Sequence, residues 1–91
     1  MPENHKPTLM FFTSDWCANC KRMKPIVTEI KQSYADKVNT VEVDVAKEPD
    51  TAAKYDVLGI PTVVVVDDGK VLERFTGFVA KEALLKKLGV A

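Results

Sequence analysis

The sequence predicts an α/β fold: a mixed sheet of four strands with helices against it. Three observations carry this prediction. An apolar run at residues 8–12 leads into a stretch of helical period, and an alternating strand follows at 38–45. Strand, helix and strand in that order make a crossover unit with parallel strands. Four consecutive valines at 63–66, then Asp67-Asp68-Gly69-Lys70, then another strand, form the signature of an antiparallel hairpin.

Each element has its own warrant. Residues 8–12, Thr-Leu-Met-Phe-Phe, read as a buried strand. From Cys17 to about Tyr34 the chain is helical in pattern, with Met23, Ile26, Val27, Ile30 and Tyr34 on one face. Pro25 falls inside this stretch and removes a backbone donor, so a kink is expected there. In 38–45, Val41, Val43 and Val45 point one way and Glu42 and Asp44 the other. Pro49 and Asp50 open a short helix reaching about Tyr55. Gly59-Ile60-Pro61-Thr62 interrupts it, and the β-branched valines that follow suit a strand buried on both faces. Residues 71–76 return as the last strand and Gly77 ends it. A final helix runs from Ala80 to Leu88 with Leu84, Leu85 and Leu88 inward, and Ala80 is a poor cap for it. The order is β-α-β-α-β-β-α.

With 91 residues, a single domain over 1–91 is expected, residues 1–6 being a flexible tail. The apolar fraction of 46 % and charged fraction of 29 % are ordinary for a globular protein. Net charge is zero, with no basic stripe, so nucleic acid is not an expected partner. No apolar run is long enough to span a bilayer. The polar start, Met1-Pro2-Glu3-Asn4-His5-Lys6, does not read as a signal peptide, and a cytoplasmic location is the expectation.

The two cysteines, Cys17 and Cys20, have the spacing C-x-x-C. Closing so short a loop removes little unfolded-chain entropy, so redox chemistry explains the pair better than structural cross-linking does. If a helix begins at the first cysteine, the second lies about one turn further in, within bonding reach. Unpaired N–H groups at the helix start would stabilise a Cys17 thiolate. Such settings lower a thiol pKa from about 8.5 to between roughly 3.5 and 7.5. Cys17 is therefore expected to be the exposed nucleophile and Cys20 the buried resolving thiol. A zinc site competes with this reading, but it normally needs four ligands and His5 is the one histidine. No metal is expected within one chain, although one shared between two chains stays open. An inert structural pair is the other alternative.

Trp16-Cys17-Ala18-Asn19-Cys20-Lys21, Pro25, Ala53-Lys54-Tyr55, Gly59-Ile60-Pro61-Thr62 and Gly77 together resemble the thioredoxin family in identity and spacing. The resemblance covers nearly the whole chain. It implies a thioredoxin fold in the form of a minimal four-stranded mixed sheet with helices on both faces, a cis bond before Pro61 beside the cysteines, and pairing of extended substrate with the Ile60 backbone. Trp16, Ile60 and Gly77 would border an apolar groove for the partner protein; core packing is the other reading of Trp16, and an ordinary trans turn that of Pro61.

Three departures from the family pattern bear on function. Thioredoxins usually carry a further strand and helix before the strand matching 8–12. Without that unit, the strand at 38–45 is expected at a sheet edge, where Glu42 and Asp44 would resist edge-to-edge pairing. The motif holds Ala18-Asn19 in place of the usual Gly-Pro, which leaves the redox poise open. The family's buried Asp behind the second cysteine, and the Lys paired with it, match Phe11 and Glu42 here. Glu42 becomes a candidate proton acceptor, against the alternative of a solvated edge-strand carboxylate.

The resemblance implies a thiol–disulfide oxidoreductase that reduces protein disulfides, with the Cys17–Cys20 disulfide as its redox centre and no bound cofactor. Expected partners are disulfide-containing proteins and a thioredoxin-reductase-like flavoprotein using a nicotinamide cofactor. A monomer is expected. The alternatives are a glutaredoxin-like, glutathione-coupled enzyme, and a redox-sensing module whose disulfide state controls binding.

Overall fold

The computed structural model describes residues 6–90. Of the expected tail, positions 1–5, His5 among them, lie outside the described residues. Lys6 donates from its Nζ to the Ala35 carbonyl at 3.1 Å.

Seven elements follow in the expected order. They are β1 (Thr8–Thr13), α1 (Ala18–Ser33), β2 (Asn39–Asp44), α2 (Pro49–Lys54), β3 (Thr62–Asp67), β4 (Lys70–Thr76) and α3 (Lys81–Leu88). The four strands form one sheet in the order β2-β1-β3-β4. β1 runs parallel to β2, and β3 runs antiparallel to both β1 and β4, so the sheet is mixed. The hairpin turn has positive φ at Asp68 (54°) and Gly69 (78°), as a tight two-residue connection requires.

Strand alternation divides the core into two layers. Leu9 and Phe11 of β1 and Val63 and Val65 of β3 face α1 and α3, where they meet Met23, Val27, Ile30, Leu84, Leu85 and Leu88. Phe12 and Val64 face the other way, against Val43 and Ala52 of α2, with Tyr55 and Val57 at the margin. Helices therefore cover both faces of the sheet. β3 is buried from Thr62 to Val65, as its run of valines predicts.

The expected apolar face of β2 is reduced. Val43 is buried and Val45 half-buried, but Val41 is exposed. The reason is geometric: β2 lies at the sheet edge, and six-residue α2, about 9 Å long, reaches only the Val43 and Val45 end. Pro25 sits inside an α1 that is continuous from Ala18 to Ser33. Ala80 caps α3 without a side-chain hydrogen bond, and Gly89 closes that helix in the left-handed conformation.

Candidate redox site

The site is built where β1 ends and α1 begins. Cys17 is the N-cap of α1, extended in backbone conformation, and its Sγ accepts the Cys20 N–H at 3.2 Å. A sulfur thus takes the place that a Ser or Asp oxygen holds at most helix starts. Cys20 lies one turn in, on the face that α1 buries. The two are joined in a disulfide with Cα atoms 5.2 Å apart. They are unequal: Cys20 is 2 % exposed, while Cys17 is half-buried and packs against the edge of the core. No acidic residue stands in the first turn of α1, so nothing there offsets the partial positive charge of the helix start.

The other expected site segment lies in the loop before β3, where Ile60 packs against the same core layer as Cys17. The Ile60–Pro61 peptide bond is cis. Thr62 Oγ1 donates to the Gly59 carbonyl at 2.6 Å, and the Pro61 carbonyl accepts from Gly77 N–H at 2.8 Å. Gly77 has φ of 94°, in the region where a side chain is strained. The loop is also held from behind, where Arg74 Nη1 donates to the Tyr55 carbonyl at 2.6 Å. Ile60 is half-buried and touches both core layers.

Trp16 is 72 % exposed, which rules out core packing for it. Leu58 is 99 % exposed, and Phe78 is exposed too, with the Arg22 guanidinium 4.3 Å from its ring centroid. Leu58 and Phe78 flank Ile60 and Gly77 in sequence. Neither stands out from the sequence, since an isolated apolar residue in a loop carries no periodic signal.

Beneath Cys20, on the α1 face of the sheet, a cavity of about 490 Å³ opens at the ends of the parallel strands β1 and β2. Thr13, Ser14, Cys20, Lys24 and Glu42 are among the residues that line it. Glu42 is in register with Phe11, so both side chains rise on the α1 side. Phe11 itself is fully buried, in the same core layer as Cys20. The Glu42 carboxylate meets Lys24 Nζ at 3.6 Å, both side chains being substantially exposed. Among the described residues, no group of three or more His, Cys, Asp or Glu side chains could hold a metal ion.

Known proteins resemble this chain both in sequence and in fold. The sequence model of the Thioredoxin family matches residues 1–89. The chain belongs to the thioredoxin family. It is 44 % identical over 73 residues to thioredoxin of Bacillus subtilis, an alignment spanning 80 % of this chain and 70 % of that protein. With thioredoxin of Staphylococcus aureus it shares 39 % over 80 residues, covering 88 % and 77 % of the two chains. Oxidised mitochondrial thioredoxin 3 from Saccharomyces cerevisiae superposes with a TM-score of 0.81 at 31 % identity, covering 98 % of this chain and 82 % of that one. A chain from a structure of thiol resolution in yeast mitochondrial 1-Cys peroxiredoxin gives a TM-score of 0.82 at 30 % identity, with the same coverage. The fold is therefore the thioredoxin fold, and the Cys17–Cys20 disulfide in its C-x-x-C setting makes this family member a thiol–disulfide oxidoreductase acting on disulfide-containing proteins.

Proposed function

We propose that the protein works as a reductant of protein disulfides, with Cys17 as nucleophile and Cys20 as resolving thiol. The observation that carries this reading is their asymmetry: Cys17 caps α1 at the surface, while Cys20 is enclosed one turn below. The Cys17 thiolate attacks a substrate disulfide, forms a mixed disulfide and releases one substrate thiol. Cys20 then attacks Cys17 Sγ, which restores the intramolecular disulfide and frees the second substrate thiol. Trp16, Ile60, Pro61 and Gly77 form the platform for the incoming chain. Glu42 is the carboxylate through which the Cys20 proton leaves, since both line one cavity. The whole of 1–91 acts as one unit, as a monomer in the cytoplasm. A nicotinamide-dependent flavoprotein reductase returns it to the dithiol form.

Two substitutions test the roles. Cys20→Ser traps a mixed disulfide through Cys17, seen as a reducible adduct by mass spectrometry, and Cys17→Ser traps none. An adduct on Cys20 in Cys17→Ser would reverse the assignment. Turnover with thioredoxin reductase but not with glutathione is the expected pattern, and the opposite pattern would indicate a glutathione-coupled enzyme. Glu42→Gln shifts the Cys20 titration in the reduced protein; an unchanged titration removes Glu42 from the proton path.

A further inference from the structure

The chain has two arginines, and they are held differently. Arg74 Nη1 is taken up by the Tyr55 and Asp56 carbonyls behind the cis-proline loop. Arg22 lies early in α1, and its guanidinium carbon is 4.3 Å from the Phe78 ring centroid. Its Nη1 donates to Asn19 Oδ1 at 3.3 Å. Phe78 adjoins Gly77, and Asn19 stands between the two cysteines, so one cation joins two borders of the redox site. No carboxylate among the described residues pairs with it. The other cations near this part of α1 are balanced. Lys24 pairs with Glu42 and Lys81 with Glu29, and Lys21 shares the cavity wall with Asp15, Asp44 and Glu48. Stacking on Phe78 occupies a face of the guanidinium and leaves its in-plane N–H groups open, and that edge is the one that takes a carboxylate. The ring and the Asn19 amide also orient the side chain, so less freedom is lost when an anion arrives.

We infer that Arg22 is a specificity-determining residue, giving the protein a preference for substrate disulfides that carry an acidic side chain beside the attacked cysteine. The inference rests on the dithiol-exchange reading above and adds the class of substrate. A substrate segment bordered by Trp16, Ile60 and Gly77 also meets Phe78, because Phe78 follows Gly77. A carboxylate on that segment then accepts from the free guanidinium edge while the substrate sulfur lies at Cys17. A basic side chain in the same place is repelled. Exposed charged contacts of this kind are modest and weaken with salt. Arg22 therefore sets a preference among substrates and is not required for the exchange itself. It acts on association, ahead of the sulfur chemistry.

The test uses peptides closed by an internal disulfide that differ only in having Glu, Gln or Lys next to each cysteine. Oxidation of the reduced full chain by each peptide is followed in single turnovers through the fluorescence of Trp16, the one tryptophan, beside Cys17. Each second-order rate constant is divided by that of dithiothreitol with the same peptide, which removes the peptide's own reactivity. The wild-type chain favours the Glu peptide over the Lys peptide about fivefold at low salt, the size of an exposed charged contact, and the Gln peptide falls between them. The preference shrinks at about 1 M salt, where charges are screened beyond about 3 Å. Arg22→Gln brings the Glu-to-Lys ratio close to one, and Arg22→Glu favours the Lys peptide. A general loss of Cys17 reactivity would slow all the peptides alike and leave the ratio untouched. A wild-type ratio near one, or a ratio that both substitutions leave unchanged, would overturn the role of Arg22 and leave the exchange reading standing. A wild-type chain that reduces none of the peptides would overturn that reading, and the role of Arg22 with it.

Discussion

Trp16 is the side chain for which exposure and position most plainly argue a role in contact with another molecule. It stands beside Cys17 with most of its surface in water. Large aromatic side chains are the usual energetic anchors of protein contacts. Trp16→Ala should therefore leave stability within about 0.5 kcal/mol of wild type, as surface substitutions do. Protein-disulfide reduction should fall about tenfold, read as a rise in KM with protein substrates. A stability loss of several kcal/mol with unchanged kinetics would assign Trp16 to packing. Phe11 shows the opposite balance. It is fully buried in the layer that holds Cys20. Phe11→Ala should cost about 3–5 kcal/mol in urea unfolding. Phe11 carries no titrating group, so packing is the part it plays in that layer.

α1 and α3 hold the redox face of the sheet, and their contact has a measurable electrostatic part. Lys81 Nζ donates to Glu29 Oε2 at 2.6 Å, joining α3 to α1. That hydrogen bond and the charge of Glu29 raise the Lys81 pKa above its ordinary value. A raised pKa in the folded state means stability present in full below the unfolded lysine value of about 10.4. It is lost as pH rises through the higher native value. Glu29→Gln should therefore lower the urea midpoint slightly at pH 7, with the difference closing above about pH 10.4; an equal difference at alkaline pH would deny the linkage. These elements were legible in the sequence because each carries a strong local signal: the helical period from Met23 to Ile30, the run of valines, the Asp-Asp-Gly-Lys turn. Local signals also placed Cys17 at a helix start and Cys20 inside. The exposure of Val41, the burial of Ser14 and the Lys24–Glu42 pair were not legible. Each depends on where a neighbouring element stops or how two elements approach, and neither is written in a window of a few residues. The Arg74 bond to the Tyr55 carbonyl, which steadies the loop leading to Ile60, joins residues 19 positions apart and leaves no pattern either.

For the whole molecule the disulfide is both a cross-link and the working group. Closing the loop between residues 17 and 20 contributes only about 2 kcal/mol by chain entropy. Urea unfolding with and without reductant should show the oxidised form more stable by about that amount. A modest difference suits a bond that must be broken and remade in each cycle, because the fold rests on two apolar layers and not on the bond itself. Ala18-Asn19 between the cysteines leaves one quantity to decide the direction of electron flow. Equilibration of the Cys17–Cys20 pair against a defined thiol–disulfide buffer gives its reduction potential. A role as protein-disulfide reductase predicts a value near about −270 mV, and a value near about −120 mV would contradict it by making the protein an oxidant.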